Sequence, residues 1–589
     1  MVLSAEQRDA VKTDGNVVIT ACPGSGKTRV LTYRVLRGLE ELKGSKQRVI
    51  ALTFTNRASD EIQHRLDGLG VPMQCLWSGT IHSFALEWIL RPYAPYSEEL
   101  RQGFSVADEH YTERLMEEVK GKYRASQYLE IRTAWPRDGK NPNKDLAAQV
   151  FETYKDKLRR EKLLDFDDVL FAAYKILVRN PEIAHTLAAI MPLICVDEVQ
   201  DIQDMQYAIL SQIVKGDNGN NVLFFVGDAN QSIYESLGAL TKTPEEIAAE
   251  FSLANIQHLK LSENYRSTQR IVDYFTLLRP QTGSIKSVAS YADQHGEIRF
   301  FNQSIPRDGL AKFIAVLIKR ALDAGVDASD ICVIAPRWFH IRPLARALMA
   351  SLPSVDFDAP GLSPLHSNRD DIWFKLARLF LTGARHGLDR TRYRWANDFA
   401  RSFETLANIE FSVRLKESRG LLRLINSITS AEVDGVLFLK DVFAKFLLAV
   451  DVDLATQPVL LASHTVFFEK AAARIKGSEN GMPTTVDGLR KLFKTPAGVV
   501  VNTCHGVKGE EYHTVIALGL LHGFVPHWEV ILHGTPDEAH EQASKLLYVV
   551  CSRAKRSLFL IAESGRATQR GRPYETAVQL QQLKFKYDL

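Results

Sequence analysis

The chain has 589 residues, 45% of them hydrophobic, so it can bury several cores, and at about 100–200 residues per domain it is expected to hold roughly three to five units. Its 73 basic and 70 acidic residues leave a formal charge of only +3, which excludes a globally basic nucleic-acid binder and leaves any polyanion contact to local patches. Six scattered cysteines (Cys22, Cys75, Cys195, Cys332, Cys504 and Cys551) with no C-x-x-C pair suggest neither a disulfide framework nor a zinc site and fit a reducing cytoplasm; the early charges of "MVLSAEQRDAV" and the lack of an apolar run of about 18 residues indicate neither export nor membrane insertion.

Along the chain, Val17 to Thr20 reads as a strand that runs into "ACPGSGKTRV" and then into an amphipathic helix. Gly24 and Gly26, with Ser25 between them, let backbone N–H groups turn toward one point. The helix starting near Lys27 adds its positive end, Lys27 reaches terminal phosphates, and Thr28 can hold Mg²⁺. The run departs from G-x-x-x-x-G-K-[ST] at its first position, Ala21, so its strand-to-helix context carries much of the reading as a phosphate cradle. Val49 to Phe54 is the next strand, and the helix-rich tract from about Pro92 to Lys162 reads as an insertion.

Leu193 to Val196 then ends in "VDEVQD". Side chains alternate along a strand, so one carboxylate can face a metal while the other faces water; Asp197 suits Mg²⁺ and Glu198 a water-activating base. Val222 to Val226 ends "VGDANQSIY", which places Asp228 and Gln231 at the same sheet edge as the cradle. There Gln231 could sense a γ-phosphate, position the water, or simply turn the chain. Gln257 to Leu261 completes this series. A second one follows at Ile298 to Phe301, Ile331 to Ala335, Val499 to Thr503, Val515 to Leu518 and Leu558 to Ile561, around a helix-rich tract from about Ser363 to Lys494. Strands separated by helices predict an α/β fold with two parallel sheets.

Ten ordered stretches now stand out: "LSAEQRDAV", "ACPGSGKTRV", "ALTFTNRASDEI", "GTIHSFA", "LLDFDDVL", "VDEVQD", "VGDANQSIY", "LSENYRST", "NTCHGVKGEEYHTVIALGL" and "LLYVVCSRAK". In this order the chain resembles the UvrD/PcrA/Rep branch of helicase superfamily 1, from about Leu3 to Ala562. The resemblance implies two RecA-like motor domains, each with a mainly helical insertion: residues 1–91 with 163–262 and insertion 92–162, then 263–362 with 495–589 and insertion 363–494. It implies a cytoplasmic, ATP- and Mg²⁺-dependent motor that moves on single-stranded or tailed DNA and unwinds duplex 3′ to 5′. Gln7 resembles the adenine-reading glutamine, Arg29 and Tyr265 the groups packed on the base, and Glu511 a carboxylate near the ribose. Arg266 and Arg553 resemble arginine fingers, whose guanidinium groups neutralise γ-phosphate charge when a cleft closes. Phe54 and Tyr234 resemble stacking partners of DNA bases, and Thr55, His82 and His505 polar contacts on the same track; stacking of this kind is sequence-neutral.

The chain also departs from the family. After "QSIY" relatives usually continue Gly-Trp-Arg-Gly-Ala, whereas here Glu235, Ser236, Leu237, Gly238 and Ala239 follow, without the stacking Trp and the DNA-contacting Arg. The mixed basic and aromatic run "RHGLDRTRYRW" (Arg385 to Trp395) could supply a substitute contact or form a solvated helix face. The short second insertion and "GTIHSFALEWILRPY" resemble the helicase-like subunit of Gabija anti-phage defence. The alternative to a free-standing helicase is therefore a DNA-responsive ATPase subunit that regulates or feeds a partner nuclease.

Overall fold

The computed structural model describes the chain except residues 1–2, 55, 72, 108, 217–219, 235–237, 280–282, 306, 366–370, 384–388, 408, 410, 412–414, 416, 477–483, 492, 494–497, 568–570 and 589. Thr55 and the departing residues Glu235, Ser236 and Leu237 thus lie outside the described residues. The chain divides into two compact units, residues 1–107, 115–305 and 504–589 in the first, and 108–114 and 306–503 in the second.

The first unit is built on a six-stranded parallel sheet: β1 Val17–Ala21, β2 Val49–Thr53, β3 Leu76–Thr80, β4 Leu193–Val196, β5 Val222–Gly227 and β6 Gln257–Leu261, in the order β3-β2-β4-β5-β1-β6. The central strands read as continuous apolar runs because helices cover both faces. Their two-residue period is visible in the cores. Ile50, Ile194, Val196 and Phe225 join one cluster with Phe84, Ile209 and Phe251, while Val49, Ala51, Cys195 and Phe224 join another with Val30, Leu31 and Val35. Five of these strands match sequence expectation within a residue or so. The unexpected one is β3, "LWSGT", an edge strand whose Ser78 and Gly79 break the apolar run.

The second series is likewise parallel. Within the first unit, β7 Glu297–Phe301 pairs with β12 Ala554–Ile561, which pairs with β11 Tyr512–Ala517. Within the second unit, β8 Ile331–Ala335 pairs with β10 Val499–Thr503, which pairs with β9 Phe357–Asp358. The rest of the second unit is chiefly helical, among it Ile372–Leu381, Asp389–Ala407, Gly435–Ala449 and Pro458–Lys476 around a core rich in phenylalanine, including Phe399, Phe403, Phe443 and Phe446. Among the described residues no helix is long and apolar enough to cross a membrane.

The basic and aromatic run of the second unit resolves in favour of structure where it is described. Arg392 is 2% exposed and donates to the Leu379 carbonyl at 3.1 Å and Asn426 Oδ1 at 2.9 Å. Trp395 carries the Arg378 guanidinium 4.1 Å above its ring. Arg392 and Trp395 are thus engaged within the helical core, and Arg392 is not available as a surface contact for DNA.

The first unit holds a buried charge cluster that explains "LLDFDDVL". Asp165 caps the helix Phe166–Arg179 in a reciprocal box with Asp168. Lys155 Nζ lies 2.7 Å from Asp165 and 2.8 Å from Asp168, Tyr154 donates to Asp165 and Trp135 to Asp168. Removing only the cation leaves two buried carboxylates facing each other. Lys155→Leu is therefore expected to destabilise the unit by about 3–5 kcal/mol. Adding Asp165→Asn and Asp168→Asn, which keep the cap acceptors, should recover most of that loss. Urea unfolding followed by circular dichroism measures both; equal losses in the single and triple variants would contradict the charge assignment.

Candidate functional site: a phosphate cradle facing buried carboxylates

The cradle leaves β1 at Ala21 and enters α2, Lys27–Glu40. Gly24 and Gly26 have φ of 68° and 80°, in the left-handed region open to glycine. A Cβ on Gly24 would lie 2.6 Å from Arg266 Cβ, and one on Gly26 2.8 Å from Gln7 Nε2, so neither position has room for a side chain. The loop is clasped from two sides. Asn264 donates to the Pro23 carbonyl at 2.6 Å and Tyr265 N–H to the Gly24 carbonyl at 2.9 Å. From the other side, Gln7, third residue of helix α1 (Ala5–Lys12), donates to the Ser25 carbonyl at 2.9 Å and accepts from Ser4 N–H at 3.2 Å. Both ends of the expected adenine reader are thus engaged by the protein. The Ser25 hydroxyl is buried and has no hydrogen-bond partner, an orphan that an incoming phosphate oxygen would satisfy.

Sheet order sets the rest. The strands β4, β5 and β1 are adjacent and parallel, so the residues after each emerge at one edge. Lys27 Nζ sits 3.1 Å from Glu198 Oε2. The alternation expected of a strand does not reach Glu198, because β4 stops at Val196 and Glu198 takes a left-handed φ of 50°, a conformation costly for a non-glycine residue. The turn aims Glu198 at Lys27, and Gln200 Nε2 also donates to it at 2.5 Å. Burial opposes the charge on both sides of this pair, and the partners outweigh it. Lys27 is raised by Glu198, Asp228 and Asp197, and Glu198 is held down to about 2 by Lys27, Lys508 and the Gln200 hydrogen bond. Asp197 is pushed the other way, up to about 7, by burial and then by the Glu198 charge.

Among the described residues, no group of three or more His, Cys, Asp and Glu side chains comes together as a metal cage. Mg²⁺ needs none: it keeps waters and phosphate oxygens and takes only a few hard protein oxygens. The Thr28 hydroxyl and Asp197 are donors of that kind, and a buried carboxyl as reluctant to ionise as Asp197 is one that a cation would stabilise.

Two arginines close the polar network. Arg553, 1% exposed, donates through Nη2 to Gln231 Oε1 at 2.9 Å, through Nε to the Val549 carbonyl at 3.0 Å and through Nη1 to the Glu510 carbonyl at 3.2 Å. Burial, then the neighbouring Arg266 charge, lowers it to about 9. Gln231 in turn donates to Asp228 at 2.8 Å. Arg266 bonds Glu511 through Nε and the Ser552 carbonyl through Nη1, both at 2.9 Å. Sequence reasoning missed Lys508, which lies 2.5 Å from the buried Asp201, donates to the Gln231 carbonyl at 2.7 Å and stands 4.8 Å above the Tyr234 ring. Its only signal was its place in "HGVKGEE".

Of the expected DNA-track residues, Phe54 and Tyr234 stack with ring centres 4.7 Å apart, and His505 lies 5.8 Å from Tyr234. His82 packs instead edge-on against Phe166 at 5.5 Å. Arg29 follows the cradle directly in sequence, whereas Tyr265 meets it in space through its N–H bond to the Gly24 carbonyl and keeps 39% of its surface exposed.

Known proteins are similar to this chain in sequence. Residues 3–252 match the family described as UvrD/REP helicase N-terminal domain. The ATP-dependent DNA helicase UvrD1 of Mycobacterium bovis is 32% identical over 300 residues, covering 46% of this chain and 38% of that protein. The ATP-dependent DNA helicase PcrA of Staphylococcus epidermidis is 24% identical over 626 aligned positions, covering 95% of this chain and 83% of that protein, and PcrA of Staphylococcus aureus is 28% identical over 372, covering 59% and 50%. The chain thus spans well under half the length of the UvrD1 relative it matches. Residues 3–252 are thus similar to the UvrD/REP helicase N-terminal domain, and the chain as a whole is similar to UvrD/PcrA-type helicases, in keeping with its parallel sheets and its cradle with facing carboxylates.

Proposed function

We propose that the protein is an ATP-driven motor that translocates on single-stranded DNA and unwinds tailed duplex 3′ to 5′, with the two motor domains bounded as the resemblance implies. The observation that carries this reading is one continuous polar network. It runs from Lys27 and Glu198 at the cradle through Gln200, Asp228 and Gln231 to Arg553, and through Lys508 to the Tyr234 ring. A site for binding alone would need neither a buried carboxylate beside the cradle lysine nor two guanidinium groups on the far side. The direction of travel rests on the resemblance, and the nuclease-coupled alternative rests on the sequence alone.

Lys27 and Glu198 neutralise each other where they pair, which makes Glu198 a poor base. A γ-phosphate would draw Lys27 away and return Glu198 toward the ordinary carboxylate range, so that it accepts a proton from the attacking water only when substrate is present. Gln231, held between Asp228 and Arg553, is placed to orient that water, and Arg266 and Arg553 to neutralise charge as it develops. Mg²⁺, held by Thr28 and Asp197, would supply further charge neutralisation on the phosphates. Single-stranded DNA would enter at Phe54 and Tyr234, and Lys508, which touches both the ring and the Gln231 carbonyl, carries the event to the cleft.

Strand displacement tests the whole reading. Duplexes with a 3′ tail should be unwound in the presence of ATP and Mg²⁺, and displacement only from 5′ tails would refute the direction. Lys27→Ala should lower ATP turnover about 100-fold or more, and Glu198→Gln should do the same while ATP still binds, since geometry survives but proton acceptance does not. Single-turnover hydrolysis alongside equilibrium nucleotide binding separates these effects; an unchanged rate in Glu198→Gln would remove it as the base. Tyr234→Ala should weaken single-strand binding by about 1–3 kcal/mol. Fluorescence anisotropy at fixed salt reads this, and unchanged affinity would mean that DNA is gripped elsewhere.

A further inference from the structure

We propose that Glu263 is a positioning residue for the nucleotide base: it fixes the Tyr265 ring as a rigid stacking platform beside the cradle. The inference rests on the ATP-binding reading above. Tyr265 is unusual among its neighbours. Asn264 is fully buried and Arg266 nearly so, yet Tyr265 leaves 39% of its surface open to solvent. An exposed aromatic side chain would ordinarily sample several rotamers, and ordering it costs conformational entropy. This one is held at both ends. Its backbone N–H donates to the Gly24 carbonyl of the cradle at 2.9 Å, and its phenol donates to Glu263 Oε2 at 2.5 Å.

Glu263 is itself anchored. It opens the short strand Glu263–Asn264, which pairs in parallel with Lys286–Ser287, in register with Lys286. Burial, then this hydrogen bond, raises the phenol pKa, so the phenol stays a donor at neutral pH. A charged acceptor makes a stronger bond than a neutral one. Paying this ordering cost in the free protein removes it from ligand binding, which is the general gain from preorganisation. The exposed ring beside the cradle then suits a planar heteroaromatic group whose phosphates occupy that cradle, that is, a nucleoside triphosphate base. Stacking recognises the face of the ring, so Glu263 should support all bases alike and leave base choice to the edge contacts.

The test compares Glu263→Ala, Glu263→Gln, Tyr265→Phe and the double variant Glu263→Ala/Tyr265→Phe in the full chain. The readouts are equilibrium binding of a fluorescent ADP analogue and steady-state ATP and GTP hydrolysis. Losing one hydrogen bond of this type should raise KM and Kd about threefold to tenfold in Glu263→Ala and in Tyr265→Phe. The effect should be alike for ATP and GTP and fall on KM rather than kcat. The phenol also hydrogen-bonds the Ser4 side chain, which Tyr265→Phe loses as well, so the double variant should be no worse than Tyr265→Phe alone. Glu263→Gln, whose carbonyl can still accept the phenol proton, should be rescued most of the way. Unchanged KM in Glu263→Ala, a loss in kcat alone, or additive losses in the double variant would each overturn the assignment. If wild-type protein binds no nucleotide, the ATP reading itself fails; if Lys27→Ala and Tyr265→Ala weaken binding while Glu263→Ala does not, only this inference fails.

Discussion

A lysine and a glutamate 171 residues apart in sequence, Lys27 and Glu198, meet at 3.1 Å in a site that burial makes unfavourable for either charge alone. The ion pair exists because two strands, β1 and β4, flank β5 in a parallel sheet and release their loops at the same edge. Everything polar nearby depends on that geometry. Asp197 is kept reluctant to ionise, Gln200 braces Glu198 and β5 together, and Asp228 holds Gln231 where Arg553 reaches it. An uncompensated charge at any of these positions would be costly, so the network is all-or-none. A ligand carrying several negative charges can therefore rearrange it as a unit, which is what a switch requires.

Much of the fold was legible in the sequence because parallel strands buried on both faces must be apolar throughout. "VVIT", "VIALT", "LICV" and "VLFFV" announce themselves. The edge strand Leu76–Thr80 did not, since an edge tolerates Trp77, Ser78 and Gly79. The cradle was legible through Gly24 and Gly26, whose positive φ and lack of room for a Cβ explain their identity. Lys508 was not, because its significance is a pairing with Asp201 that lies 307 residues away, and no local pattern encodes such a partner. The reverse error occurred at Arg392. Basic and aromatic residues mixed on a helix read as either a nucleic-acid contact or a solvated face, but composition does not say which face is buried, and an arginine can bury its stem and satisfy its fork inside a core.

The track residues illustrate the same division. Phe54, Tyr234 and His505 come from distant parts of the chain and gather in one aromatic group, while His82 packs against Phe166. Lys508 above the Tyr234 ring is a side chain that this group shares with the Gln231 carbonyl. A base stacking on these aromatics would alter the position of a charge bonded to Gln231, and so the orientation of the group set to position water. In the proposed motor this shared lysine would couple track and cleft.

The measurement that tests this most directly is the rate of ATP hydrolysis by the unaltered protein at saturating ATP and Mg²⁺, with and without a single-stranded oligonucleotide, at one fixed salt concentration. Coupling through Lys508 predicts a rate that rises steeply and saturates with oligonucleotide. A rate that is the same with and without DNA would contradict it.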